Sequence, residues 1–440
     1  MDDKSRRRKG WSLFFSAVLL VGLALMLAPA PPAHAASIVV TTTADEQNIN
    51  GQCSLREAIW NANNNDQSGS TDCAAGSGDD TITFNVSGTI TLGSQLPNIT
   101  DAAGLTILGS AGGMTISGNN TVRVFEVNLG ATLKLQNLTV ANGRALNGGG
   151  IYNSGTLSIT NCTLSGNNAF DTFSGTGGGA IFSFGTVTVS NSTFSNNSAN
   201  IGGGGIYNRV NGALTVTNST FSGNSAADGG GIAHETGKPA IVANSTFTGN
   251  SASTGGSIRN MGTLTVVNST FSGNSATSSG SGIHNSGTVT VTNSTFSGNS
   301  NVSLRNTATV TVTVYNTIVA NSTAGGNCSG TITNGGNNID DGTTCGWGSA
   351  NGSLSSTNAQ LGPLANNGGP TQTFALLAGS PAIDAVTYNA PNNCPATDQR
   401  GYVRPVDGDN NGSALCDIGA FEFGSYLRLF VYLPLILKGP

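Results

Sequence analysis

Through the middle of the chain apolar residues alternate with small polar ones. Residues 213–221 read ALTVTNSTF, and the alternation returns as TLTVVNSTF at 263–271 and TVTVTNSTF at 288–296. A period of two puts one side-chain set on each face of a strand, so every such segment predicts a short strand with one buried face. Between the strands lie glycine runs carrying one apolar residue, as in GGGIYN at 148–153. No helix-period segment separates the two parts.

Aligned on the Asn that follows each strand, the segments repeat at Asn137, Asn161, Asn191, Asn218, Asn244, Asn268, Asn293 and Asn316, in steps of 24, 30, 27, 26, 24, 25 and 23 residues. That period, built from strands and turns alone, predicts an all-β chain folded as a right-handed parallel β-helix of roughly eight to twelve coils. Equivalent positions then stack one above another at about 4.8 Å. The inward aromatic column is Phe194, Phe221, Phe247, Phe271 and Phe296, with Leu164 and Ile318 expected at its ends. Two asparagine columns accompany it: the leading Asn, and a second at Asn167, Asn197, Asn224, Asn250, Asn274, Asn299 and Asn321. Asparagine tolerates bent backbone, and its amide donates to one coil while accepting from another. The Asn-Ser-Thr triplets match the N-glycosylation pattern, but a residue facing the next coil is out of reach of that chemistry.

Composition narrows the class. Of 440 residues 63 are Gly, 9% are charged and 37% are hydrophobic, too apolar for disorder and too poor in charge for long helices. Lys4, Arg6, Arg7, Arg8 and Lys9 precede an apolar run over 11–27, and AHA at 33–35 closes it, so residues 1–35 read as a signal peptide cleaved after Ala35. Five of the 17 basic and two of the 22 acidic residues lie in that segment; the remaining 12 and 20 give −8, a balance that argues against nucleic acid. Cysteine usage agrees with export: Cys53 with Cys73, Cys328 with Cys345 and Cys394 with Cys416 are the disulfide candidates. Cys162, where other repeats carry Ser, is expected to be a buried free thiol.

An open solenoid end invites edge-to-edge pairing. CSLREAI at 53–59 answers this with a capping box, Ser54 and Glu57, ahead of Ile59 and Ala62, predicting a short helix from about Leu55 to Ala62 over the first coil.

That motif resembles the signature of the N-terminal CSLREA domain of secreted bacterial β-helix proteins. GGGIY and FSGNSA are similar to the repeats of the polymorphic membrane protein group. NGGPTQTFALLAGSPAIDA, DQRGYVRP and CDIGAFEF, within 367–423, resemble the choice-of-anchor domain, with Val386 standing where that family usually has Gly. The resemblance implies export and display at a cell surface, and no reaction. The expected organisation is a signal peptide (1–35), a cap (36–80), β-helix repeats (81–325), final coils with a disulfide-clipped loop (326–366), an anchor-type domain (367–423) and an apolar sorting or capping tail (424–440). That tail is too short for a membrane-spanning helix and is interrupted by Pro434.

Polysaccharide lyases and hydrolases need clustered carboxylates or a base beside a cation site. Between 131 and 320 the acids are Asp171, Asp228 and Glu235, at unlike places in their repeats. No catalytic residue is assigned, and lyase or hydrolase activity stands as the alternative to a binding role. His234 and His284 differ by one place relative to Ile232 and Ile283, which puts them on opposite faces.

The position after the repeated Ile varies, as Tyr152, Phe182, Tyr207, Ala233, Arg259 and His284. Such a solvent-facing row of aromatic and Arg side chains would stack on sugar rings or hold a partner surface. Its members Tyr152, Phe182, Tyr207, Arg259 and His284 are the candidate ligand-binding residues, though mutual packing across coils, the ordinary role of such cross-strand pairs, is the favoured account of them. DGDNNG at 407–412 matches the first half of a calcium loop, with Asp407, Asp409 and Asn411 as ligands for a weak Ca2+ site; position twelve is Ile418 where a Glu belongs. Asp384, Asp398, Arg400 and Asp417 are read as structural pairs. No cofactor is required. The expected product is a monomeric, surface-displayed, adhesin-like rod that binds extracellular carbohydrate or another cell-surface protein and is held to the envelope through its C-terminal region.

Overall fold

The alternating segments become strands of four parallel sheets in a computed structural model, which describes residues 36–170, 177–307, 310–387 and 394–425. The signal-peptide segment, the tail beyond Ser425 and Asp171 lie outside the described residues. Each coil runs through the same stations. Taking one coil as the example, Ile151–Asn153 lies in sheet 3, Thr156–Thr160 in sheet 1, Thr163–Ser165 in sheet 2 and Asn168–Ala169 in sheet 4. A glycine run then leads to the next coil. Sheets 1 and 2 each hold twelve strands, sheet 3 nine and sheet 4 six, all stacked in chain order. The fold is a right-handed parallel β-helix.

Three ladders explain the repeated letters. The leading Asn makes the corner between sheets 1 and 2 with φ between 46° and 56°, a left-handed conformation that Asn adopts more readily than most residues. The Ser after it is a rung: the Ser192, Ser219, Ser245 and Ser269 N–H groups donate to the hydroxyls of Ser219, Ser245, Ser269 and Ser294 at 3.1–3.3 Å. Cys162 takes the rung before Ser192, buried and unpaired as expected, and burial pushes its thiol up to about 11. The second Asn column is fully buried from Asn167 to Asn299, and from Asn197 on each amide oxygen accepts from both the backbone N–H and the side-chain Nδ2 of the Asn in the coil below; Asn167 Oδ1 accepts from the Gly143 N–H. Asn321 leaves that column and donates to Ser297.

A third buried polar column runs Asn153, Ser183, Asn208, His234, Asn260, Asn285 and Asn306. Its signal is the Asn that closes GGGIYN, two places after the inward Ile and so on the same face. His234 substitutes for Asn here, its Nδ1 3.0 Å from Asn208 Nδ2, and burial lowers it to about 4; it is a neutral structural group. The two histidines do lie on opposite faces.

The Phe column stacks with centroids 4.4–5.0 Å apart and planes only 4–8° from parallel, so each ring covers the next face to face. Its upper neighbour is Val319, three places after Asn316 as Phe296 is three places after Asn293; Ile318, expected in the column, pairs with Thr295 instead and points outward.

Helix α1 (Leu55–Asn64) covers the first coil with Leu55, Ala58, Ile59 and Ala62 buried, and the capping box is formed in both directions. The disulfides are Cys53–Cys73, Cys328–Cys345 and Cys394–Cys416, as paired by spacing. No helix among the described residues is long and apolar enough to cross a membrane.

The C-terminal segment, described over 361–387 and 394–425, lies along the flank of the solenoid. Thr246 Oγ1 donates to the Gln372 carbonyl, Thr270 Oγ1 to Gln399 Oε1, Asn268 Nδ2 to the Thr397 carbonyl, and the Ala420 N–H to Thr295 Oγ1. Beneath it a second apolar core joins Ile318, Ala320 and Ile339 of the last coils to Leu376, Ala382, Ile418 and Phe421. The outward Thr of sheet 2 is thus buried at 246, 270 and 295 but half-exposed at 163, 193 and 220.

Candidate functional site

The variable row exists in the predicted register. On the outer side of sheet 3, Glu126, Tyr152, Phe182, Tyr207, Ala233, Arg259, His284 and Arg305 occupy consecutive rungs. Much of it does not face solvent: Phe182 is 1%, Tyr207 5% and His284 8% exposed, which corrects the sequence-based expectation. The reason is the glycine run, which folds back over the row. Gly202, at φ +79°, lies flat on the Tyr207 ring and leaves no space for a Cβ.

The rings satisfy one another. Tyr152 stacks on Phe182 with centroids 5.3 Å apart, Phe182 meets Tyr207 edge-on at 5.6 Å, and Phe184 from the adjoining corner meets Phe182 at 5.1 Å. Tyr207 Oη donates to Glu235 and accepts from Arg209 Nη1 at 3.2 Å; burial and the carboxylate raise the phenol to about 12, so it stays protonated. What the aromatic half offers a ligand is the half-buried edge of Tyr152 and the exposed ring of Phe184.

The polar half is different in kind. Arg259 Nη1 lies 2.8 Å from Asp228 Oδ2, while Asp228 Oδ1 accepts from Thr254 Oγ1 at 2.6 Å. One rung on, His284 Nδ1 is 3.0 Å from Ser279 Oγ. Burial first, and then the Arg259 and Arg305 guanidiniums, lower the His284 pKa, so the ring is neutral at pH 7. Arg305, one rung further, has no carboxylate within ion-pair distance among the described residues. Two guanidiniums and a neutral imidazole therefore share one carboxylate, a local excess of positive charge in an acidic chain. Arg305 is legible in the sequence, since it follows Leu304 as Arg259 follows Ile258, but the glycine run that marks the other rungs is missing before it.

Asp228 and Glu235 are each engaged with their own guanidinium, Arg259 and Arg209, and do not converge on a common point. That arrangement supplies no paired acid and base.

In the C-terminal segment carboxylate oxygens of Asp384, Asp407 and Asp409 lie within 4.8 Å of one another, and Asn411 sits beside them, its N–H donating to Asp407 and Asp409. Asn411 turns its Oδ1 to the Ser413 N–H and its Nδ2 to Asp409. Asp398 pairs with Arg400 at 2.6 Å and Arg404 with Glu422 at 2.8 Å, all buried. Asp417 is an extra carboxylate beside that second pair. Burial and the Glu422 charge push it up to about 8, so the folded segment holds a proton that the unfolded chain releases near 4. Folded protein then binds more protons than unfolded between those values, and stability falls as pH rises from about 4 to about 8. Protease resistance of 361–425 is expected to be greater at about pH 5 than at about pH 9, with Asp417→Asn flattening the difference.

Comparison with known proteins agrees with the architecture. A family model described as right handed beta helix region matches residues 102–319. No curated protein matches the sequence. Among solved structures, the crystal structure of pectate lyase Pel9A is similar, with a TM-score of 0.51 and 15% identity over 89% of this chain and 97% of that one. At that identity the likeness is one of fold.

Proposed function

We propose that this chain is an extracellular, surface-displayed β-helix that holds an acidic polysaccharide along the outer face of sheet 3. The observation that carries the reading is the run Arg259, His284 and Arg305, one rung apart, with a single carboxylate among them. Coils repeat at about 4.8 Å, close to the rise of one sugar in an extended chain, so successive uronate or sulfate groups meet successive rungs. Guanidinium is the side chain best matched to such anions. Tyr152 and Phe184, four rungs away, offer a ring for a sugar to stack on. Export rests on the signal-like N-terminus and the three disulfides.

Retention on immobilised polygalacturonate or alginate at low salt is the test. Arg259→Ala with Arg305→Ala is expected to weaken it at least tenfold, with a reduced salt dependence. Unchanged retention would return the row to a purely structural role.

The second reading is a polysaccharide lyase, favoured by the fold it shares with a pectate lyase. Elimination from a uronate needs a free base and a cation at the carboxylate. Asp228 is already occupied on both oxygens, which favours binding over turnover. Appearance of unsaturated sugars from the same polymers, with and without calcium, would reverse that preference.

Calcium belongs in this proposal at Asp384, Asp407 and Asp409, where it would replace backbone N–H groups as partner of the carboxylates. Added Ca2+ is expected to raise the melting temperature of the wild-type chain and leave Asp409→Asn unmoved.

A further inference from the structure

The first coil contains a buried acid whose partner is a backbone nitrogen. Asp80 is fully buried at the head of strand Asp80–Phe84. Its Oδ1 accepts from the Ser77 N–H at 2.8 Å and from the Ala36 nitrogen at 3.0 Å. Ala36 immediately precedes the edge strand Ser37–Val40, and its carbonyl accepts from the Thr81 N–H at 2.9 Å, so both of its backbone groups are held. Neighbouring charge adds to the burden on Asp80. Asp79, next to it in the chain, already has Lys134 at 2.7 Å; Asp101 lies close by, 5% exposed, with Oδ2 making no hydrogen bond. Three carboxylates thus share one lysine, and Asp80 has no side-chain cation among the described residues.

We infer that hydrolysis of the Ala35–Ala36 peptide bond completes this site, the new α-ammonium of Ala36 becoming the counter-ion of Asp80 and locking the first strand. In the hydrolysis, carried out by a leader peptidase of the exporting cell, water adds its hydroxyl to the Ala35 carbonyl carbon and a proton to the Ala36 nitrogen. That amine takes a second proton at neutral pH. A neutral amide donor is thereby exchanged for a charged one at the same 3.0 Å position, where burial makes the ion pair strong and its absence costly. The uncut precursor leaves Asp80 buried without a cation, which burial and Asp79 resist by raising its pKa. The grip on the edge strand is therefore tied to processing: the pairing of Ser37–Val40 is held more firmly once the leader has gone.

The experiment compares the chain starting at Ala36 with the same chain N-acetylated, each as wild type and as Asp80→Asn. Deuterium uptake over 37–40 and 80–84 is read by mass spectrometry. Acetylation is expected to raise uptake severalfold in the wild type and hardly at all in the Asp80→Asn chain. A second readout needs no variant: the Ala36 amine of the folded wild type is expected to acylate at least about tenfold more slowly than that of a peptide with the same first residues, one unit of pKa shift. The exported chain itself is expected to begin at Ala36 by intact mass. A different first residue, acylation as fast as in the peptide, or equal effects of acetylation in the wild-type and Asp80→Asn chains would each overturn the inference.

Discussion

Asn250→Leu is expected to destabilise the solenoid by about 3–6 kcal/mol, although the two side chains are nearly equal in size and the site is fully buried. The cost arises from the groups left behind. Asn250 Oδ1 accepts from both the backbone N–H and Nδ2 of Asn224, at 3.1 and 2.9 Å, and its own Nδ2 donates to the Phe221 carbonyl and to Asn274 Oδ1. Leucine strands these groups where water cannot reach, each at roughly 1–3 kcal/mol. Because the amides of successive coils form one chain, the break falls between neighbours rather than at one residue. Urea unfolding should reveal an early transition, with exchange of the Asn224 amide proton accelerated. The leading Asn is different. Asn161 is exposed and held at φ 54°, so Asn161→Gly should cost no more than a few tenths of a kcal/mol. Two columns written in the same letter thus answer to different physics, one to a side-chain amide and the other to a backbone dihedral. An Asn250→Leu chain as stable as wild type would refute the ladder account.

Ile318→Asp should release the C-terminal segment from the flank while leaving the β-helix folded. Ile318 occupies the outward position that holds Thr163, Thr193, Thr220, Thr246, Thr270 and Thr295 in earlier coils. It is fully buried, packed in the core that includes Ile418 and Phe421, and Gly419 approaches it so closely that a Cβ would stand 2.9 Å from Ile318 Cδ1. A carboxylate there forfeits about 1.5–3 kcal/mol of apolar burial and must also lose its water without a partner. Undocking is cheaper than either. Limited proteolysis within 340–370 should become rapid with the far-ultraviolet spectrum retained, whereas Thr163→Asp, at the same station of a half-exposed coil, should change stability by no more than about 0.5 kcal/mol. Equal protease resistance of Ile318→Asp and wild type would mean that the hydrogen bonds donated by Thr246 and Thr270 and accepted by Thr295 suffice to hold the segment.

These residues also show where sequence reasoning reaches and where it stops. Strand alternation, the Asn and Phe columns, the helical cap and the cysteine pairs are legible because each is local or repeats, so many copies vote on one register. The row after the repeated Ile is legible as a row, yet its burial is not: that depends on how the glycine runs fold back, and glycine carries no side chain to mark its direction. The docked segment reads as an addition beyond the solenoid, since nothing local distinguishes an end from a flank. Ile318 is the available signal, an apolar residue where every earlier coil from 163 on shows Thr. Asp384 reads as a member of a structural pair and instead completes the acidic cluster with Asp407, a contact between residues over twenty places apart that no spacing rule encodes.

The near-parallel Phe stack has an evolutionary consequence. Each ring from Phe194 to Phe296 covers the next at 4.4–5.0 Å, so one coil added or removed leaves the stack unbroken. An in-frame duplication or loss of a single unit such as 244–267 would therefore alter the reach of the rod by about 4.8 Å without opening a gap in its core. Near-identical DNA in tandem is prone to such events, so length is the property this design leaves most open to inheritance.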